Sequence, residues 1–187
     1  MKQIIPFAHQ WISDTLKSGD IAVDATLGNG HDSVALSKEV GSNGLIYSFD
    51  IQQSAIDQAQ SLFTQSNINN ITSIKLGHEQ AKDYLIEQGI TSIGGVIFNL
   101  GFLPGGDESI TTQADSTIQA IEGLFELLMP HRMIVIVIYP GHDSGQIEKD
   151  LLIQHLQNQP AAKMDVAMYH MVNRSNKAPF VVGLYKK

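Results

Sequence analysis

Asp24-Ala-Thr-Leu-Gly-Asn-Gly-His-Asp32 is the stretch that decides how the rest of the chain can be interpreted. Residues 21–23 before it are apolar, as in a buried strand, whereas residues 33–40 after it carry apolar side chains at helical spacing. Gly28 and Gly30 permit positive φ angles and leave no Cβ in the way of a bound molecule. The sequence therefore predicts a strand-to-helix turn that holds a ligand against the first N–H groups of the helix.

The charge at this turn narrows the choice of ligand. The third glycine of the dinucleotide fingerprint is replaced by Ser33, and Asp24 ends the strand with a carboxylate that would repel a pyrophosphate. A carboxylate facing the pocket suits a cationic ligand, and S-adenosylmethionine carries both a sulfonium and an α-ammonium group.

A second acid supports a nucleoside ligand. Asp50 follows the β-rich residues 45–49, about 20 residues beyond the turn, where α/β nucleotide folds place the acceptor for ribose hydroxyls. Such a charge-assisted hydrogen bond contributes roughly 1.5–3 kcal/mol. The alternative is that the two glycines only form a tight turn and that Asp50 only caps the helix beginning near Ser54.

Composition limits the class of protein. The 187 residues, 43% of them hydrophobic, fit one domain spanning 1–187. Cysteine is absent, which excludes disulfides, thiolate metal sites and a cysteine nucleophile. The net charge of −7 argues against a broad nucleic-acid surface. The longest apolar run, residues 133–139, has the length of a strand, so we expect no membrane association and a cytoplasmic protein.

Strand-like and helix-like segments alternate through most of the chain, which requires a mostly parallel sheet with helices on both faces. The last two strand-like segments, residues 164–170 and 180–185, have no helix between them and are predicted to pair antiparallel. The predicted helices are 7–17, 32–40, 54–65, 78–87, 112–128 and 144–157, and the other predicted strands are 21–23, 45–49, 71–76, 95–98 and 133–139. The fold class is therefore α/β, with a seven-stranded Rossmann-like sheet that ends in an antiparallel hairpin.

Polar or aromatic residues follow each of the five parallel strands at its end, where such sheets bind ligands. They are Asp24, Asp50, Gly77-His78-Glu79, Asn99 and Tyr139. We expect them to converge on one pocket.

The whole chain resembles the class I methyltransferases, and more specifically the small bacterial methylases once described as putative rRNA methylases. The motifs that carry the resemblance are residues 24–32, 49–52, 99–107 and 139–142, followed by Asn173-Arg174 and Ala178-Pro179. The resemblance implies methyl transfer from S-adenosylmethionine to the aminomethyl nitrogen of 5-aminomethyl-2-thiouridine at wobble position 34, in the anticodon stem-loop of tRNA.

The resemblance also implies roles for individual residues. It assigns the cofactor to Asn29, Asp32, Asp50, Gln52, His78 and Glu79, which join Asp24, Gly28 and Gly30 of the turn.

Asn99-Leu-Gly-Phe102 is similar to the Asn/Asp-Pro-Pro-Tyr/Phe signature of enzymes that methylate exocyclic amines, with Leu100 and Gly101 in place of the prolines. An amide oxygen can accept a hydrogen bond from the amine and orient its lone pair, while an aromatic ring stacks on the base. An ordinary turn at the strand end is the alternative for this segment.

Asn99, Phe102 and His142 are the candidate catalytic residues, and Tyr139, Arg174 and Lys177 are the candidate substrate contacts.

Other functions stay open at this point. Methylation of pyrimidine C5 in rRNA is disfavoured because it usually needs a cysteine adduct. A small-molecule methyltransferase explains the acidic composition better than a tRNA enzyme does. A nucleotide-binding module without catalysis, working as a dimer with a partner, is a further alternative, and assembly of the chain as a homodimer also stays open. No metal is predicted, since no two histidines have the His-x-x-x-His spacing.

Overall fold

The computed structural model describes residues 1–101, 113–141 and 143–187. No helix in these ranges is long and apolar enough to cross a membrane. The elements of the described residues are, in chain order, α1 (Ile4–Ser13), β1 (Ile21–Asp24), α2 (His31–Val40), β2 (Leu45–Phe49), α3 (Gln53–Gln65), β3 (Ile71–Ile74), a 3₁₀-helix (His78–Gln80), α4 (Ala81–Glu87), β4 (Ile93–Leu100), α5 (Ala114–Leu127), β5 (Leu128–Ile138), α6 (Asp143–Gln157), β6 (Met164–Tyr169) and β7 (Phe180–Lys186).

The strands form one seven-stranded sheet in the order β3-β2-β1-β4-β5-β7-β6. The first five strands are parallel, and β7 runs antiparallel to both β5 and β6. The predicted α/β fold with a closing antiparallel hairpin is therefore confirmed. The chain moves outward from β1 to β3 and then returns to β4, so β1 and β4 are neighbours whose helices lie on opposite faces, leaving a crevice at their carboxyl ends.

Helices bury apolar side chains on both faces of the sheet. On one face α1 and α2 cover a cluster that includes Ile12, Leu36 and Val135. On the other face α4, α5 and α6 cover a larger cluster that includes Leu85 and Leu124. The central strands are buried on both sides, which explains why their sequences are almost continuously apolar.

Several predicted boundaries are wrong. The helix predicted from residue 7 to 17 spans Ile4–Ser13, because Pro6 lies in the first turn, where its missing N–H needs no partner. The strand predicted at 71–76 ends at Ile74, and the helix predicted from residue 78 begins as a 3₁₀-helix.

The strand predicted at 95–98 is longer at both ends and spans Ile93–Leu100. Asn99 and Leu100 are therefore strand residues, because β5 continues far enough to pair with them at Val137 and Ile138. The rest of the predicted 99–107 loop, beyond Gly101, lies outside the described residues.

Gly30, the N-cap residue of α2, is needed for helix packing. Its φ angle is 82°, and a Cβ built there would lie 2.8 Å from Cε1 of Phe63 and 2.9 Å from Cβ of Ala59, both on α3. Gly19 has a similar φ of 88°, but nothing lies within 4 Å of its Cβ position.

Replacing each glycine by alanine separates backbone strain from packing. We expect Gly19→Ala to cost about 1–2 kcal/mol, the penalty of a left-handed conformation. Gly30→Ala should cost about 1–3 kcal/mol more, because α3 must move away from the new methyl group. Urea denaturation of both variants measures the difference. Equal losses of stability would show that α2 and α3 are not packed this closely.

Candidate active site

A cavity of about 750 Å³ lies at the carboxyl ends of the parallel strands, where the sequence predicts the pocket. Its wall comes from the segments after β1, β2 and β3, the end of β4, the residue after β5, and parts of α1 and α5. The predicted site residues that line it are Gly28, Asn29, Asp32, Asp50, Gln52, His78, Glu79, Asn99 and Tyr139.

Asp24 does not face this cavity, so the expectation that its carboxylate meets the ligand is wrong. The residue is fully buried. Its Oδ2 accepts a hydrogen bond of 2.5 Å from the Ser33 hydroxyl, which also bonds the Ser48 hydroxyl at 2.8 Å, and its Oδ1 accepts the backbone N–H of Thr26 at 3.1 Å. Asp24 therefore ties β1, β2 and α2 together beneath the turn.

The remaining predicted residues are placed differently. Gly30 faces α3 rather than the cavity, for the packing reason given above. Arg174 and Lys177 are exposed in the segment between β6 and β7 and do not line the cavity. Phe102 and His142 lie outside the described residues.

Asp50 fixes the glycine turn. One carboxylate oxygen accepts the N–H of Gly28 and the other accepts the N–H of Gln52, each at 2.9 Å. The N-cap of α3 is Gln52 and makes no side-chain capping bond, so the alternative that Asp50 only caps this helix finds no support in these contacts. A carboxylate has about four acceptor positions, so Asp50 can accept further hydrogen bonds from a ligand in the cavity.

Among residues 1–101, 113–141 and 143–187, two buried polar atoms of the cavity wall find no hydrogen-bond partner: Oδ1 of Asn29 and Nε2 of His78. Burial lowers the pKa of His78, which favours its neutral form. An unpaired buried polar group costs about 1–3 kcal/mol, so a polar ligand that bonds to these atoms would recover that free energy. The observation fits a nucleoside-containing ligand beside β2 and β3.

Asp32 and Asn99 meet at the other side of the cavity. Oδ2 of Asp32 accepts a hydrogen bond of 3.2 Å from Nδ2 of Asn99, and Oδ1 lies 2.6 Å from Nε2 of His9. The backbone N–H of Asn99 donates to the Thr26 hydroxyl oxygen at 2.7 Å. Because a carboxylate only accepts, Asn99 must present its nitrogen to Asp32, and Oδ1 is the side-chain acceptor that it can offer to a ligand.

Sequence reasoning missed His9 and Thr26. His9 comes from α1, 23 residues before Asp32, and the amphipathic pattern of that helix gives no indication of a partner. Thr26 lies within the quoted turn, but its role depends on the extension of β4 to Asn99.

Tyr139 stands at the β5 side of the cavity and is 40% exposed. Partial burial and the charge of Asp32 raise its pKa, so its hydroxyl stays neutral. The strand order therefore divides the cavity into a half beside β2 and β3, with Asp50 and Gln52, and a half beside β4 and β5, with Asn99 and Tyr139. His78 follows β3, and its ring reaches to 5.7 Å from that of Phe98 on β4.

Comparison with known proteins identifies the family of the chain. The family model described as "Putative rRNA methylase" matches residues 46–184. A chloroplastic tRNA (mnm(5)s(2)U34)-methyltransferase from Arabidopsis thaliana is 31% identical over 195 residues, which cover 100% of this chain and 70% of that protein.

Two solved structures are similar over their whole length. A putative rRNA methylase from Clostridium thermocellum has a TM-score of 0.95 and 37% sequence identity, covering 100% of this chain and 99% of that one. A putative methyltransferase from Streptococcus mutans, in complex with S-adenosylhomocysteine, has a TM-score of 0.89 and 31% identity at the same coverage.

The buried carboxyl of Asp24 gives a pH-dependent prediction. Burial, with a smaller effect from the charge of Asp32, raises its pKa from 3.8 to about 7. As pH rises through this range the unfolded state loses the proton first, so the folded state is progressively destabilised. Asparagine does not titrate. The unfolding free energy of Asp24→Asn minus that of the wild type should therefore increase between pH 3.8 and about 7.

Urea denaturation across that pH range measures the difference. A difference that stays constant would show that the Asp24 carboxyl titrates with an ordinary pKa.

Proposed function

Since the chain belongs to the "Putative rRNA methylase" family and is an S-adenosylmethionine-dependent methyltransferase, we propose that it methylates an amine on tRNA. The proposed substrate is 5-aminomethyl-2-thiouridine at wobble position 34, and the product is 5-methylaminomethyl-2-thiouridine. The Arabidopsis relative, whose name gives this position, supports the choice. The observation that carries the proposal is the Asn99 amide, which Asp32 orients so that its oxygen is left as an acceptor.

The residues beside β2 and β3 fit the cofactor. We assign the ribose hydroxyls to Asp50, and the two unpaired atoms of Asn29 and His78 to other polar groups of the cofactor. Gly28, Gln52 and Glu79 complete this half of the wall. When bound, S-adenosylmethionine supplies a methyl group on a positively charged sulfur, and the negative charge of Asp32 in the wall favours a cationic ligand.

The residues beside β4 and β5 suit an amine. A bond forms between the substrate nitrogen and the methyl carbon while the carbon–sulfur bond breaks, and the proton released from nitrogen passes to solvent. A neutral amine is already a good nucleophile, so the chain must chiefly hold its lone pair in line. The Oδ1 atom of Asn99 does this by accepting one amine N–H.

An aromatic ring at the cavity mouth can hold the target base. Tyr139 is half exposed there, and stacking of an unpaired base on an aromatic ring is a common mode of RNA recognition. Phe102 and His142, which lie outside the described residues, remain proposed contributors on the sequence alone. The absence of cysteine from all 187 residues argues against methylation of pyrimidine C5, which usually proceeds through a cysteine adduct.

Two cations provide a contact for tRNA on an otherwise acidic protein. β7 begins at Phe180, opposite Ile138 at the end of β5, so the segment that precedes it reaches the cavity edge of the sheet. Arg174 and Lys177 lie in that segment, and the ion pairs among the described residues include neither of them. We propose that both bind tRNA phosphates.

Transfer of labelled methyl groups to two pools of tRNA tests the proposal. One pool carries 5-aminomethyl-2-thiouridine at position 34, and the other lacks the aminomethyl group. We expect label in the first pool only. Asn99→Ala should lower kcat about 10²-fold with unchanged affinity for S-adenosylhomocysteine, because the amine loses its orienting acceptor. If neither pool of tRNA is labelled while the cofactor still binds, methylation of a small molecule becomes the favoured function.

Charge reversal tests the tRNA contact in the same assay. Arg174→Glu with Lys177→Glu should raise KM for tRNA about tenfold or more. The matched control reverses two exposed lysines away from the cavity edge, Lys17 and Lys38, and should leave KM close to that of the wild type. If both double variants raise KM for tRNA equally, tRNA binding depends on the net charge of the protein and not on Arg174 and Lys177 in particular.

A further inference from the structure

His9 contacts Asp32 of the proposed active site but does not itself line the cavity. It lies on α1, and its Nε2 atom is 2.6 Å from Oδ1 of Asp32, whose Oδ2 in turn accepts from Asn99. We propose that His9 is a positioning residue for methyl transfer: it fixes the Asp32 carboxylate, which orients the Asn99 amide toward the substrate amine. This inference rests on the proposed role of Asn99.

The geometry shows why the hydrogen bond between Asp32 and Asn99 would not by itself fix the orientation of the two side chains. The terminal torsions of aspartate and asparagine side chains have broad energy wells, so either group rotates easily when only one of its atoms is held. Asp32 is held at both oxygens, and its side chain is only 8% exposed. Removing His9 would leave one of these oxygens without its partner and free the carboxylate to turn away from Asn99.

Neither helix needs the contact between His9 and Asp32 for its own attachment. On α1, Ile12 is buried against the sheet, Phe7 stacks on Tyr169 with ring centroids 3.8 Å apart, and Trp11 packs over Gly183. Asp32 lies in the first turn of α2, where the helix dipole already favours a carboxylate. The consequence of the contact between them is therefore the orientation of Asn99.

His9→Gln and His9→Leu distinguish positioning from proton transfer. The side-chain amide of glutamine can donate a hydrogen bond to Asp32 but cannot carry a proton away, whereas leucine can do neither. A positioning role predicts that the glutamine variant keeps most of the wild-type kcat. The leucine variant should lose about tenfold or more in kcat, with unchanged KM for tRNA and unchanged affinity for S-adenosylhomocysteine.

A double-mutant cycle tests whether His9 acts through Asn99. In the Asn99→Ala background, His9→Leu should have almost no further effect on kcat, because the amide to be oriented is gone. The control is His155→Leu on α6, which removes a histidine whose Nε2 lies 3.4 Å from Oε1 of Glu122, remote from the cavity wall. This control should leave kcat unchanged.

A measurement without tRNA tests whether His9 orients Asn99 through Asp32. The side-chain amide signal of Asn99 in a ¹⁵N NMR spectrum is assigned by its loss in Asn99→Ala. We expect it at the same position in the wild type and in His9→Gln, and moved toward the position of an exposed asparagine in His9→Leu. An unchanged signal in His9→Leu overturns the inference.

The kinetic outcomes are equally decisive. If His9→Gln loses as much kcat as His9→Leu, a hydrogen bond to Asp32 does not sustain kcat and the positioning role is wrong. If the effects of His9→Leu and Asn99→Ala multiply, His9 does not act through Asn99. If the wild type transfers no label to tRNA, the proposed function fails, and the NMR arm still decides whether His9 orients Asn99.

Discussion

Parallel strands must be joined by connections that return over a face of the sheet, and this constraint places the segment after every parallel strand at one edge. The order β3-β2-β1-β4-β5 adds a reversal of direction between β1 and β4, which opens the crevice at the middle of that edge. Residues far apart in the sequence, such as Asp50 and Asn99, therefore line one cavity. The hydrogen bonds of the site then depend on which strand each residue follows.

Three aspartates in or beside the cavity wall have three different tasks, and the surroundings of each side chain determine its task. Asp24 is buried beneath the turn, ties β1, β2 and α2 together, and has a pKa raised by burial. Asp50 accepts the backbone N–H groups of Gly28 and Gln52 and keeps capacity for a ligand. Asp32 is held by His9 and Asn99 on the opposite side of the crevice. The same type of side chain thus supports the fold, the proposed ribose site and the proposed amine site.

Local patterns predict most of this architecture, but not the contacts that join distant elements. The strand-to-helix turn, the acid after β2 and the closing hairpin follow from periodicity and from residues that are neighbours in the chain. The burial of Asp24 could not be predicted, because it depends on Ser48 from another strand. Gly30 meets α3 rather than the cavity, since a glycine motif does not show which side needs the space. The part played by His9 requires the packing of α1 beside α2, which no local pattern specifies.

The crevice is proposed to have a cofactor half beside β2 and β3 and a methyl-accepting half beside β4 and β5. A crystal structure of this chain with S-adenosylhomocysteine would show which half holds the cofactor. We expect ribose hydroxyls within hydrogen-bond distance of Asp50, partners for Oδ1 of Asn29 and Nε2 of His78, and the sulfur on the side of Asn99. A ribose bound beside Asn99, or a complex in which those two atoms stay unpaired, would contradict this proposal.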